Sequence, residues 1–495
     1  MQKGAVAALP VAAAVTLLLA RWLPIRFEYH ENDLGIVSVA TVNRYPIVQE
    51  TFWLAFGLIV GTLVAWAIAR ELARYRIVGR DAIALELLSI GSLLGLVLLP
   101  GAFADLAAIG GCLSVLVFAR SREPEDSEFA LPDPREVSVR PIWVNVVWSV
   151  SVVVIALVLT RGIWLHLWNV MHSVPDERVV VDNFKFLGET GQHLAWANAL
   201  RHGWFQGRDV FCLYGPLYDI GLVGFWALVG KSIAGWNLYW SLTRVLGWIS
   251  LFALGGALVR HRVALLWLPF LLPWIELRVG WALFAACFLF RWLATDRRLL
   301  LIPAGCLTGI SILYSQEYGT AISLTALVGF AIRRDGRAVL AYGSGALVTM
   351  APLFVYYGAH GALLPMLNDV AQYPAHLIAG YAKLLFPNIV SSLPLEVGEF
   401  STRSSETLRL AYTVPLVCLA GMLLLLPVSG FDLRHPLRSV RELADGLARD
   451  PVRMMMFLIA IFGMIAFRSA MGRASLHRTH AALPAVALLL CFALD

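Results

Sequence analysis

Charge is scarce in this chain: Asp, Glu, Lys and Arg make up only 15% of its 495 residues, and 59% are hydrophobic. Soluble domains carry about 25% charged residues, so an ordinary soluble globular protein is excluded. A disordered chain is excluded for the same reason, and the absence of any collagen-like or heptad period excludes a fibrous one. The apolar residues come in long runs rather than in strand-like alternation, which argues against an outer-membrane barrel. No CxxC pair or His/Cys ligand spacing links Cys112, Cys212, Cys287, Cys306, Cys418 and Cys491, most of which sit in apolar runs. A zinc site or a disulfide framework is therefore not expected. No basic soluble domain is present either, so a nucleic-acid partner is not expected. With a mean hydropathy of +0.73, the class that remains is an all-α polytopic membrane protein.

The formal charge is +6, from 39 Lys and Arg against 33 Asp and Glu, and nearly all the cations are Arg. In a membrane protein such a surplus reads as topology, because basic residues gather in cytoplasmic loops. A spanning helix needs about 20 mostly apolar residues. The runs that qualify are roughly 5–22, 51–70, 82–100, 102–119, 142–165, 238–259, 263–277, 279–295, 299–315, 319–333, 338–357, 410–428, 453–469 and 480–494. The stretch after Lys3 has the look of a secretory signal. No polar domain follows it, so it is read as a retained first helix.

The strongest basic clusters are Arg70–Arg80, Arg120–Arg140, Arg333–Arg337 and Arg434–Arg453. Placing all of them in the cytoplasm gives a consistent alternation and turns two long loops outward, residues 166–237 and 359–409. The apolar stretch 214–230 is long enough to be ambiguous. Reading it as an interfacial helix keeps Arg260–Arg262 and Arg297–Arg298 inside. Residues 1–120 form a four-span block, the polar Pro-containing stretch 121–141 a cytoplasmic linker, and 142–495 a second membrane module. No repeat marks two inverted transporter halves.

The polar stretch 182–219, DNFKFLGETGQHLAWANALRHGWFQGRDVFCLYGPLYD, carries the chemistry. A helix is expected from near Thr190 to about Arg201, closed by Gly203. Glu189 stands at or just before its start and His193 one turn on, with Trp196 on the same side. Arg208, Asp209 and Tyr214 follow as the chain turns back to the membrane. Arg244, Arg278, Glu317 and Lys383 fall on the same outer side, and ionisable groups at span ends that face a cavity are functional candidates. Each has a structural alternative. Glu189 suits a helix N-terminus by its charge, and Asp209 suits a turn. Arg244 and Arg278 can anchor at the interface, Glu317 can pair with a neighbouring Arg, and His193 can be a satisfied polar residue beneath the loop. Trp196 and Trp204 are candidates to stack on a sugar. Tyr373, Pro374 and His376 accompany Lys383 in the second outer loop.

This stretch resembles the GT-C superfamily of membrane glycosyltransferases, particularly its mannosyl- and aminoarabinosyltransferase-like branch. Glu189 stands at the place of the family's acidic residue, QHLAWANAL at its short helix, HGWFQGRD at its turn ending in Asp209, and YGPLYD with Pro216 and Leu217 at its Pro-Leu segment. Arg244 matches the Arg that opens the family's next span. Gly188 and Thr190 flank Glu189 where the family carries an Asp-Glu pair. The resemblance covers about 142–345 in organisation, and 182–219 with Arg244 in motif. It implies a GT-C-like transmembrane helix bundle with a long outer loop carrying short surface helices, in the cell inner membrane. It also implies transfer of a sugar from a polyprenyl-phosphate donor to a glycan, lipid or protein acceptor at the outer face.

In that chemistry Glu189 and Asp209 are the catalytic candidates, since a carboxylate can take the acceptor's proton. His193, Arg208, Tyr214, Arg244, Arg278, Glu317 and Lys383 are the substrate-binding candidates, with the cations meeting the leaving phosphate. No Asp-x-Asp pair of the kind that holds a metal for nucleotide sugars occurs. The donor is therefore expected to be lipid-linked, and metal dependence is left open. The competing readings are a transporter or flippase for a lipid-linked or small solute, a surface-polysaccharide ligase or polymerase, and a non-catalytic envelope scaffold. A transporter would place ionisable groups near the bilayer midplane on broken helices.

Overall fold

The structure is a computed structural model that describes residues 142–161, 191–210, 214–259, 262–272, 275–378, 436–472 and 482–494, together with residues 60, 110, 114 and 418. The four-span block expected over 1–120 and the linker 121–141 lie outside the described residues apart from those first three positions, as do Glu189 and Lys383. The chain divides into two compact units, Val137–His376 and the remainder, 1–136 with 377–495. Every regular element among the described residues is helical. Three helices are long and apolar enough to cross a membrane, or four if one bent pair counts as a span. Together they suggest a multi-pass membrane protein.

In the first unit, α1 (Ile142–Leu159) precedes the short α2 (Gly191–Arg201) and α3 (Pro216–Val229). The long α4 (Ile233–Leu258) follows. Ser232 sets its start, with Oγ accepting the Gly235 N–H at 2.9 Å. The start of α1 meets the end of α4. Trp148 lies edge-on to Phe252 with ring centroids 6.3 Å apart, and the Arg262 guanidinium sits 5.0 Å over the Trp148 ring. Trp148 also lies against Gly256, so α1 packs on the second half of α4.

The span expected over 263–277 is not a continuous helix. It is a 3₁₀ segment, Arg262–Trp267, and a single α-helical turn, α5 (Leu268–Leu271). Pro269 and Pro273 each lack the N–H that a continuing helix needs. Leu265, Leu268, Leu272 and Ile275 are fully buried, as irregular backbone at membrane depth requires.

Three packed helices follow: α6 (Leu277–Thr295), α7 (Leu301–Tyr314) and α8 (Gln316–Arg333). Then come α9 (Gly336–Ala359) and α10 (Leu363–Ile378). Lipid is as apolar as the side chains, so such helices associate by close packing rather than by a hydrophobic drive. The α7–α9 contact is built that way. Gly305 lies against the Tyr342 carbonyl and Gly345 against the Ile302 carbonyl. A hydroxyl pair, Thr308 and Tyr342 at 2.6 Å, ties the two backbones. The other side of α9 leaves Leu340, Leu347 and Val355 exposed, a lipid-facing stripe.

The ends of this bundle differ in chemistry. At one end, α6, α8, the start of α9 and the loops between them carry Arg291, Arg297, Arg298, Arg333, Arg334 and Arg337. Two ion pairs bind these loops together, Arg298 to Asp335 at 2.9 Å and Arg333 to Asp296 at 3.1 Å. At the other end the starts of α4, α6 and α8 and the end of α7 meet beneath α2 and α3. Gly215 makes that meeting possible: a Cβ there would strike the Leu313 carbonyl oxygen, so only glycine lets α3 begin against the end of α7. The 14 residues of α3 rise about 21 Å, short of the ~30 Å hydrocarbon core.

In the second unit α11 (Pro436–Arg449) bends by 116° into α12 (Pro451–Gly472), which packs on α13 (Leu483–Leu494).

Candidate active site

The helix expected from Thr190 to Arg201 is present as α2, Gly191–Arg201, and Gly203 past its end takes φ +84°. Its His193 points into a box of aromatic rings at the arginine-poor end of the bundle. Tyr214 is stacked on the imidazole at 5.5 Å, and Trp196, Tyr218, Trp236 and Trp240 lie within 5.0–6.2 Å of it, centroid to centroid. Trp236 and Trp240 are one turn apart on α4, which brings both to the same face. Asp219, in the first turn of α3, places its carboxylate 3.5 Å from His193 Nδ1; the two side chains are 3% and 12% exposed. Its charge sits at the positive end of the α3 dipole.

Tyr214 joins this box to a second group. The guanidinium of Arg278 lies 4.5 Å over the Tyr214 ring and 6.0 Å from the Tyr318 ring. Arg278 Nε donates to Glu276 Oε2 at 2.8 Å, and Nη1 is buried without a hydrogen-bond partner. Both residues come from the start of α6, where the N-terminal partial charge disfavours a cation. Glu276, at the N-cap position, offsets that cost. Tyr218 fills the centre, touching Tyr214 at 4.7 Å, Tyr314 at 5.1 Å and Trp240 at 5.4 Å. The Trp240 indole N–H is buried and without a partner, like Asp219 Oδ2.

Of the residues expected from sequence, His193, Tyr214 and Arg278 come together here. Arg244 is half-buried on α4, one turn beyond Trp240 on the same face. Glu317 is half-buried in the first turn of α8, beside the Tyr318 that borders Arg278.

Arg208 and Asp209 lie elsewhere, at the corner between α9 and α10. Asp209 Oδ2 accepts the Phe205 N–H at 2.8 Å and pairs with Arg208 at 2.7 Å, while Arg208 Nη1 donates to the His360 carbonyl at 2.6 Å. The Arg208 hydrogen bond, then the Phe205 N–H, hold the Asp209 carboxyl below its ordinary pKa. Phe205 stacks on His360, and Gly207, at φ +82°, is pressed against the Met366 backbone. This is the turn-closing role that sequence allowed for Asp209, with the carboxylate already engaged. Trp196 is buried beside His193, whereas Trp204 is 55% exposed on the loop.

Sequence reading singled out neither Asp219 nor Tyr218. The signal for Asp219 was present: it is the one charge in the apolar run PLYDIGLVGFWALVG, and an ionisable group in such a run is a functional candidate. Tyr218, Tyr314 and Trp240 carried no local signal. No group of three or more His, Cys, Asp or Glu among the described residues is arranged to hold a metal. Against known protein families, characterised proteins and solved structures, the chain matches none.

Proposed function

We propose that the chain is a membrane glycosyltransferase that moves a sugar from a polyprenyl-phosphate-linked donor to an acceptor at the outer face of the cytoplasmic membrane. The observation that carries this reading is Arg278. Its side chain is nine-tenths buried and its guanidinium lies 4.5 Å over the Tyr214 ring and 6.0 Å from the Tyr318 ring, with Nη1 left without a hydrogen-bond partner. Such a group suits the oxygens of a phosphate leaving as an anion. Its position at the arginine-poor end supports an outer site, because the six arginines at the opposite end mark the cytoplasmic side by the positive-inside rule. The gathering of His193, Asp219, Glu276 and Glu317 at helix starts, rather than at mid-helix, favours transfer over transport. Aromatic faces next to these groups suit the apolar faces of a sugar ring. The resemblance of 182–219 and Arg244 to GT-C enzymes points the same way.

The test is transfer itself. The purified chain in proteoliposomes is given a panel of isotope-labelled polyprenyl-phosphate sugars with a membrane extract as acceptor source. Label moving covalently from the lipid into acceptor is the expected result. Label that crosses the bilayer still attached to its lipid would favour a flippase, and no transfer from any donor would refute the reading.

A further inference from the structure

Phosphate binding leaves His193 and Asp219 unexplained. Both are buried, on different helices, and face each other at 3.5 Å. Neither His193 Nδ1 nor Asp219 Oδ2 has a hydrogen-bond partner. A buried carboxylate oxygen and a buried ring nitrogen that make no hydrogen bond are costly to keep. We infer that His193 is the group that takes the acceptor's proton in the transfer reaction, and that Asp219 is the positioning residue that orients it. The inference rests on the transferase reading above and assigns a step within it.

The geometry supplies what a base needs. Asp219 is fixed by the first turn of α3 and faces Nδ1, so it selects the tautomer with the proton on Nδ1 and leaves the Nε2 lone pair to act. Their separation is longer than a formed hydrogen bond, as catalytic contacts often are before substrate binds. The five surrounding rings hold the imidazole in one orientation, and the stacked faces of Tyr214 and Trp236 stabilise it once it is charged. Asp219 then supplies the counter-charge. The step balances. The acceptor oxygen or nitrogen bonds to the anomeric carbon and the bond from that carbon to the phosphate oxygen breaks. The electron pair leaves with the phosphate, beside Arg278, and the acceptor's proton passes to Nε2. Tyr214 touches both the imidazole and the Arg278 guanidinium, so base and leaving-group site border one ring. Among the described residues, the titratable groups against the imidazole are Asp219, Tyr218 and Tyr214; α4 presents only Trp236 and Trp240.

The full chain in proteoliposomes, with a donor the parent uses, tests this. His193→Gln is expected to lower kcat by about 10²–10⁴ with KM for the donor little changed, and to remove the acid limb of the pH–rate profile. His193→Ala is expected to regain transfer when imidazole is added, which a merely structural histidine would not show. Asp219→Asn is expected to lower kcat, and Asp219→Glu to restore part of it. A His193→Gln variant with parental kcat, or a His193→Ala variant that imidazole does not rescue, overturns the inference and leaves the transferase reading standing. Loss of the acid limb in Glu189→Gln but not in His193→Gln does the same and makes Glu189 the base. Should His193→Gln fail to fold, the imidazole result decides alone. A parent inactive with every lipid-linked donor overturns the transferase reading, and this inference with it.

Discussion

Replacing Arg278 by Gln separates what the guanidinium does for the fold from what it does for the substrate. Its partner Glu276 accepts from Nε at 2.8 Å, and the two side chains are 10% and 24% exposed. Breaking a buried ion pair costs about 3–5 kcal/mol. Glu276 keeps a quarter of its exposure, so the lower end, about 3 kcal/mol, is expected. The double variant Glu276→Gln/Arg278→Gln removes both charges of the pair and should recover part of that loss. Function should not recover. Hydrogen bonds from a charged donor contribute about 1.5–3 kcal/mol, so single and double variants should both weaken polyprenyl-phosphate binding by about 10- to 100-fold. Melting in detergent reads the first quantity, and titration with polyprenyl phosphate in nanodiscs the second. A single variant as stable as the parent would refute the buried pair. A double variant that binds polyprenyl phosphate at parental strength would remove Arg278 from the phosphate site.

Three further outcomes are expected. Asp335 caps α9 through the Ala338 N–H and pairs with Arg298; partial burial raises its pKa, but these two bonds outweigh it and hold the carboxyl below its ordinary value. Its contribution is therefore present above the unfolded value of about 3.9 and lost as pH falls through the lower folded value. Asp335→Ala should cost about 1 kcal/mol at pH 7 and lose part of the acid sensitivity of melting; an unchanged melt at pH 7 would contradict the cap. Gly215→Ala should cost about 1–3 kcal/mol by overpacking α3 against the end of α7, seen as a lower melting point and weaker transfer; parental behaviour in both would contradict that contact. Finally, His202→Cys should react with an impermeant maleimide from outside intact cells and Thr295→Cys only after permeabilisation. The reverse pattern would invert the orientation.

The helices were legible where composition decides them. Expected spans 238–259, 279–295 and 338–357 correspond to α4, α6 and α9, because a long apolar run bounded by polar residues has one low-energy form in lipid. The early start of α4 was hidden: Ser232 caps a helix whose early Gly235 and Asn237 weaken the apolar signal. Residues 263–277 misled because hydropathy does not register that two prolines break hydrogen bonding within an apolar run. In the site, His193, Tyr214 and Arg278 stood out as polar or ionisable residues at span borders. Asp219 was marked only as the one charge in its apolar run; its pairing with His193 depends on α2 and α3 lying side by side, a tertiary fact that no local window contains. Asp209 has the local partners that a turn supplies, Arg208 and the Phe205 N–H, which a local reading of the sequence could anticipate.

The most direct measurement of the central claim is an experimental structure of the chain in nanodiscs loaded with polyprenyl phosphate. The account predicts phosphate density within hydrogen-bonding distance of the Arg278 guanidinium, at the arginine-poor end of the bundle, with the lipid tail running along the helices into the bilayer. Phosphate density at the Arg297–Arg298 end, or in a cavity at mid-membrane away from Arg278 and His193, would contradict it.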